Sequence, residues 1–279
     1  MKRRNFLGLV FLAPGISGAA TARSSVRIGL TPVFLNDQTF LNRWQGYLEE
    51  RLGRSVEFVQ RGNYREITEL VLNGRVDFAW LCGYPYVRYR EHMDVLTVPI
   101  YQGEPLYRSY LIVGADDART ETLEDLEGRL FAFSDPLSNS GWLVPQARLL
   151  AAGHDPEGFF ARTFFAGAHR NVIEAVAVGL ANGGAVDGYV YDALARLHPE
   201  LTERTRIIWR SETYGFPPVV ARNGVDPELR GRFRDALQGM QGSGQGRALL
   251  EQFYLDGFGD PDAELYTGIE RLMRHVERG

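Results

Sequence analysis

Two hydrophobic periods take turns along this chain. Val26-Arg27-Ile28-Gly29-Leu30 is a short, mostly apolar run that predicts a strand. Residues 39–52 follow a helical period, with Phe40, Leu41, Trp44, Tyr47, Leu48 and Leu52 on one face and Gly53 closing the segment. Residues 55–60 predict a second strand. Asn63 with Glu66 three residues on is a capping arrangement, and the helix it opens carries Ile67, Leu70 and Val71 on its apolar face and ends at Gly74. Residues 76–81 predict a buried strand. The strand–helix–strand order calls for a parallel sheet covered on both faces.

A weak internal repeat extends this pattern. Arg65-Glu66-Ile67-Thr68-Glu69-Leu70-Val71 resembles Arg170-Asn171-Val172-Ile173-Glu174-Ala175-Val176. Each copy closes alike, with Asn73-Gly74-Arg75-Val76-Asp77 in one and Asn182-Gly183-Gly184-Ala185-Val186-Asp187 in the other. The expected architecture is α/β with two lobes, each a mostly parallel sheet with helices on both faces. Residues 23–115 and 212–279 would form the first lobe and residues 116–211 the second, with a return through Pro217 and Pro218. Residues 226–277 read as helical, broken at Gly242-Ser243-Gly244. In open α/β sheets ligands gather at the carboxyl ends of strands, so two such lobes create a cleft that can close on a small solute.

The most informative stretch lies at such a strand end. A predicted strand, 129–133, runs into Ser134-Asp135-Pro136-Leu137-Ser138-Asn139-Ser140-Gly141, and an apolar helix is expected over 142–150. The small polar residues Ser138, Asn139 and Ser140 therefore stand at a helix N-terminus. There the first backbone N–H groups lack partners and the helix dipole is positive. Such a site holds an oxyanion without a charged side chain. A single hydroxyl in this place also reads as an ordinary N-cap.

Other strand ends supply further candidates. They are Thr31-Pro32-Val33-Phe34, Cys82-Gly83-Tyr84-Pro85, and Ala168-His169-Arg170 at the start of a helix. Asp192 follows a strand expected over 186–190 and reads equally as the cap of a helix over 193–197. Cys82 is the single cysteine, so it forms no internal disulfide, and it reads either as a small buried hydrophobe or as a functional thiol.

The first residues bound the compartment. Met1-Lys2-Arg3-Arg4 is a basic start, an apolar run follows, and Ala20-Thr21-Ala22 is a small-residue cleavage site. Residues 1–22 are expected to be an export signal, and the paired arginines point to the twin-arginine route. No cysteine follows the cleavage site, so no lipid anchor is expected there. Removing residues 1–22 leaves 28 basic against 35 acidic residues, a net charge of −7. No basic stripe appears and no nucleic-acid partner is expected. Lys2 is the only lysine, which excludes Schiff-base enzymes and Walker-type ATPases from the mature chain. The five histidines are scattered without ligand spacing, so neither metal nor cofactor is expected.

On Ser134-Asp135-Pro136, Ser138-Asn139-Ser140-Gly141 to Pro145, Val76-Asp77-Phe78-Ala79-Trp80 and His169, the chain resembles the phosphonate-binding protein family. These are exported, two-lobed receptors of ABC transporters for phosphate, phosphite and phosphonates. The resemblance covers nearly all of the mature chain. It implies oxyanion contacts from Ser138, Asn139, Ser140 and His169, and a looser match of Asp192 to an acidic residue late in the second lobe. It also implies a permease as partner. Two positions depart from the pattern: Asn139 stands where Thr or Ser is usual, and the first-lobe loop offers Cys82 and Gly83 beside Tyr84. In that cysteine the chain is similar to a branch of arsenite-binding proteins that feed a sensor kinase.

Three functions follow. The leading one is a monomeric, non-enzymatic receptor for a small phosphonate-like oxyanion, serving a permease or a sensor. The second, in the same class, is an arsenite receptor using Cys82. The third, from another class, is a thiol enzyme with Cys82 as nucleophile and His169 as base.

Overall fold

The computed structural model describes residues 25–31 and 37–278. The expected export signal and the Pro32-Val33-Phe34 part of the first strand-end loop lie outside the described residues.

The first half runs β1 (Val26–Leu30), α1 (Gln38–Leu52), β2 (Val56–Gln60), α2 (Tyr64–Leu72), β3 (Phe78–Trp80), α3 (Gly83–Arg88), β4 (Met93–Ile100), β5 (Leu106–Gly114) and β6 (Leu130–Phe133). The middle runs α4 (Val144–Ala151), α5 (Pro156–Phe159), β7 (Arg162–Phe165), α6 (His169–Ala177), β8 (Gly183–Asp187), α7 (Gly188–Leu197) and α8 (Pro199–Thr202). The chain ends with β9 (Thr205–Gly215), β10 (Val219–Arg222), α9 (Pro227–Gln238), α10 (Gly244–Phe253), β11 (Gly257–Gly259) and α11 (Thr267–Val276).

Local signals account for the helix ends. Asp37 accepts hydrogen bonds from the amides of Thr39 and Phe40, and Gly53 closes α1 in the left-handed region at φ 58°. The buried face of α1 is Phe40, Leu41, Trp44, Tyr47, Leu48 and Leu52, the face its period predicts. Asn63 caps α2 by accepting from the Glu66 amide at 2.9 Å.

The strands form two sheets. One has the order β11-β4-β10-β3-β1-β2 and the other β7-β6-β8-β5-β9. Parallel pairing is confined to β1 with β2 and β3, and to β6 with β7 and β8. Both sheets are thus mixed, where mostly parallel sheets are expected from the sequence. The reason is the returning chain: β10 re-enters antiparallel between β3 and β4, and β5 pairs antiparallel with β8 and β9.

The second sheet takes in strands from Leu106 to Gly215, whereas residues 116–211 are expected for the second lobe. The chain passes between the sheets at residues 101–105 and 216–218. The two passages are tied together by Phe216 N–H donating to Pro105 O at 2.8 Å. The Tyr266 hydroxyl and the Trp80 indole N–H pin the second passage, through the carbonyls of Phe216 and Pro217.

Candidate functional site

The cluster forms where strands of both sheets end. After β6, Asp135 turns the chain by accepting from the Leu137 amide at 2.7 Å, while its own carbonyl accepts from Ser138 N–H at 2.9 Å. Ser138 is extended and its hydroxyl accepts from the Gly141 amide at 2.9 Å. The capping role therefore belongs to Ser138. The helix does not begin at Trp142. It begins with a π-helical turn, Asn139–Leu143, that passes into α4, and Leu143 N–H reaches back to Ser138 O at 3.0 Å. Such wide turns are rare and collect at functional sites. Glycine is required at 141 because a Cβ there would lie 1.9 Å from Ser134 Oγ and 3.1 Å from the His169 ring.

The first lobe answers with Cys82. It stands in extended conformation at the N-cap of α3, and its Sγ accepts from the Asn139 amide at 3.3 Å. Gly83 packs closely on α11, where an added Cβ would come within 2.5 Å of Ile269 Cδ1 and displace that side chain's end. Tyr84 stacks on Trp142 of the second lobe, with ring centroids 6.1 Å apart at 16°. Tyr64 meets His169 edge-on, with centroids 6.4 Å apart. The Tyr64 amide, the first of α2, donates to Asp135 across the cleft at 3.1 Å.

The second lobe completes the cluster at the end of β8. His169 is the first residue of α6, and its Nδ1 accepts from the Asp187 amide at 3.0 Å. That leaves the neutral ring's proton on Nε2, as a donor. The Asp187 carboxylate caps α7 by accepting from Tyr189 and Val190 N–H.

Burial sets the electrostatics. It pushes the Cys82 thiol up to about 11, the Asp187 carboxyl up to about 7 and the His169 imidazole down to about 3. The Tyr64 and Tyr107 phenols and the Asp135 carboxyl are raised by the same cause. Among the described residues no arginine makes a hydrogen bond or ion pair with any of these groups. The Asn139 amide side chain donates to Tyr107 Oη at 2.9 Å, and its Oδ1 has no hydrogen-bond partner. Ser134 Oγ and Ser140 Oγ are likewise buried without a well-formed hydrogen bond, although the Tyr107 hydroxyl lies beside Ser140. A buried polar atom left without a hydrogen bond costs about 1–3 kcal/mol, so Ser134 Oγ and Asn139 Oδ1, with the weakly held Ser140 Oγ, mark a place built to receive hydrogen-bonding atoms. Among the described residues no cluster of His, Cys, Asp or Glu suits a metal ion.

The structure therefore brings together Cys82, Gly83, Tyr84, Ser138, Asn139, Ser140 and His169. Asp192 does not join them. The strand before it is Gly183–Asp187, shorter and earlier than 186–190, and Asp192 lies within α7 instead of capping a helix over 193–197. Its Oδ2 accepts from the hydroxyls of Tyr101 at 2.7 Å and Tyr110 at 3.0 Å, which places it at the passage between the sheets. The register moves because Gly183 and Gly184 belong inside the strand. A Cβ at 184 would lie 2.4 Å from Val172 of α6. The acidic member is Asp187, already visible as the end of the repeat. Ser134 and Asp135 stand in the quoted motif, whereas nothing in the sequence singles out Tyr64 and Tyr107.

Cys82 and His169 share no hydrogen bond, and His169 Nδ1 is occupied by a backbone amide. A thiol pushed up and an imidazole pushed down are the opposite of an activated nucleophile–base pair.

Two mixed sheets joined by two passages, with a polar cluster at their facing strand ends, define a two-lobed binding protein of the type II periplasmic class. Residues 28–266 match the family model of the periplasmic substrate-binding proteins of phosphonate ABC transporters. The chain belongs to that family. It is 28% identical over 201 residues to the phosphate-import protein PhnD of Mycolicibacterium smegmatis, a match covering 65% of this chain and 60% of that relative. It is 26% identical over 230 residues to the phosphonates-binding periplasmic protein of Escherichia coli strain K12, covering 78% and 67%. In fold it is similar to a binding-protein component of an ABC phosphonate transporter from Pseudomonas aeruginosa. That pair has a TM-score of 0.83 and 22% identity, covering 91% of this chain and 87% of the other. It is also similar to PhnD1 of Prochlorococcus marinus, solved in complex with methylphosphonate, with a TM-score of 0.81, 19% identity and coverage of 91% and 99%.

Proposed function

We propose that this chain is a periplasmic receptor that closes its two lobes on a small oxyanion and presents it to the permease of an ABC transporter. The observation that carries this reading is a set of buried polar atoms at a helix start: Ser134 Oγ and Asn139 Oδ1 have no hydrogen-bond partner, and Ser140 Oγ has only the Tyr107 hydroxyl beside it. Ligand oxygens would accept from the two hydroxyls and from His169 Nε2–H. A ligand P–OH would donate to Asn139 Oδ1. Asp187, protonated below about pH 7, would add a donor where an ionised carboxylate would repel. A neutral binding surface of this kind suits a phosphonate or phosphite carrying one or two charges, held by dipoles and hydroxyls. The names of the relatives support the same class of ligand. The chain passages at 101–105 and 216–218 serve as the hinge. Export through the twin-arginine route and a monomeric state complete the proposal.

Calorimetry of the mature protein against methylphosphonate, phosphite, phosphate and arsenite tests it. The expected result is saturable binding of one of the phosphorus oxyanions, weakened at least tenfold in Ser140→Ala. Absence of binding to all three removes the reading.

Arsenite is the second reading, favoured by one observation: Cys82 Sγ lies within the same cluster, 3.3 Å from the Asn139 amide. Arsenite is neutral, so a cluster without cations suits it as well. The thiol would replace one hydroxyl on arsenic, forming an S–As bond and releasing water, and the downstream partner would then be the periplasmic domain of a sensor kinase. Arsenite binding that survives in Cys82→Ser rejects this use of the thiol.

A further inference from the structure

The closed cluster is flanked by two open grooves that it does not use. One, of about 370 Å³, lies between α2, α3 and the second-lobe residues Pro136, Leu137 and Trp142. The other, of about 340 Å³, runs from Asn63 past Ser134 and Asp135 to Phe165 and Gly167. Pro136 and Leu137 belong to both walls, and on the first lobe so does Arg65.

Arg65 sits against local electrostatics. It is the second residue of α2, beside the positive end of the helix dipole, where a cation is disfavoured. Its counterpart in the repeat, Arg170, is second in α6 and is neutralised by Glu174 at 2.8 Å. Arg65 has Glu69 at the same spacing and on the same groove, yet it makes no hydrogen bond or ion pair among the described residues. The other arginine of the grooves, Arg88, is held by the Tyr84 hydroxyl at 3.1 Å and faces Glu277 at 3.6 Å. The acidic neighbour Asp135 feels the charge of Arg65, but its carboxylate is already engaged by the amides of Tyr64 and Leu137. A local rule broken with only the charge of the amide-bonded Asp135 to offset it points to function.

We propose that Arg65 is the entry cation of the cleft. It draws the anionic ligand into the mouth between the lobes and sets the association rate, without contacting the ligand once the lobes close. The mature chain is acidic and the inner cluster has no paired arginine, so an incoming anion needs a local positive field, and Arg65 supplies it on both sides of the Pro136-Leu137 turn. This inference rests on the oxyanion reading above.

Stopped-flow tryptophan fluorescence of the mature protein tests it, with methylphosphonate and inorganic phosphate as probes. The variants are Arg65→Gln, Arg65→Glu and, as a charge control outside both grooves, Arg75→Gln. At low ionic strength the association rate constant is expected to fall about threefold in Arg65→Gln and about tenfold in Arg65→Glu. The dissociation rate should stay within about twofold, and the salt dependence of association should flatten. Arg75→Gln should behave as the parent. An unchanged association rate in Arg65→Glu overturns the proposal, as does an equal loss in Arg75→Gln. A loss confined to dissociation would mean contact with the bound ligand, and overturns it too. If the parent protein binds neither probe, the oxyanion reading falls and this inference falls with it. Binding with unaltered rates overturns this inference alone.

Discussion

The two lobes begin their cleft-facing helices in matching ways, and the differences between the two starts separate scaffold from site. Gly62-Asn63-Tyr64-Arg65 opens α2, and Gly167-Ala168-His169-Arg170 opens α6. The starts meet across the cleft: Tyr64 and His169 are in edge-on contact, and a Cβ on Gly167 would lie 3.6 Å from Gly62 O. The first start is locally satisfied, since Asn63 caps it with its own side chain. The second has Ala168 at that place and no side-chain cap. The acids that close the two repeats diverge as well. Asp77 is partly exposed and pairs with Arg222 at 3.2 Å, whereas Asp187 is buried and pairs with no cation among the described residues. In the cap and in the acid the first lobe completes its local chemistry, whereas the second leaves it incomplete and encloses it.

The largest expected effect concerns the two acids and pH. Asp187 holds its proton up to about pH 7 when folded, against an ordinary value of 3.8. Between those values the folded state keeps a proton that the unfolded chain has lost, so this group makes stability fall as pH rises. His169 acts in the opposite sense. It titrates near 3 when folded against an ordinary 6.5, so stability rises with pH across that interval. Each contributes up to about 1.4 kcal/mol per pH unit, and they oppose one another between pH 4 and 6.5. Urea unfolding of Asp187→Asn should therefore show stability climbing steeply from pH 4 to 6.5, whereas His169→Gln should show it falling. A parent-like profile in Asp187→Asn would mean that Asp187 is ionised in the fold. Asp77→Asn should only lose the Arg222 pair, at a cost of about 1 kcal/mol or less.

The next effect separates His169 from Tyr64. Loss of a hydrogen bond to a charged ligand is worth about 1.5–3 kcal/mol, so His169→Ala should weaken binding of the oxyanion about ten- to a hundredfold by calorimetry. Tyr64→Phe keeps the ring against His169 and should stay within about threefold. Equal losses would put both helix starts in the site.

A smaller contrast lies in the two glycines. Gly167 has φ +82°, which an L side chain adopts at a cost of about 1–2 kcal/mol, so Gly167→Ala should lower the thermal midpoint. Gly62 has open space around the added carbon, and Gly62→Ala should leave the midpoint within error. The smallest effect falls on Ser138 and Ser134. Ser138→Ala removes a cap worth about 1 kcal/mol of stability, whereas Ser134→Ala removes an unanswered hydroxyl and should cost less than that while weakening the ligand.

Much of the fold was legible because its signals are short-range. The face of α1, the Asn63 cap and the polar helix start at Ser138 follow from spacing along a few turns. The repeat pointed to two lobes but misplaced β8. It aligned Asp187 with Asp77, although Asp77 precedes β3 and Asp187 ends β8. Two glycines that a strand usually avoids are inside β8, because a Cβ at 184 would meet Val172 of α6 and one at 183 would meet Leu126. No residue within 93–114 signals that β4 and β5 belong to different sheets, so the expected boundary fell ten residues late.

By itself, the sequence determined what backbone geometry and neighbouring side chains decide: where helices start and stop, which faces they bury, and that a dipole-rich helix start stands at a strand end. Tertiary structure alone decided which groups meet there. Cys82 reaches the Asn139 amide, His169 is turned by the Asp187 amide, and Asp192 is claimed by two tyrosines, all through contacts between residues far apart in the chain. Protonation follows the same division. A side chain's type sets its ordinary titration, but its displacement depends on how completely other elements exclude water, which no local pattern encodes.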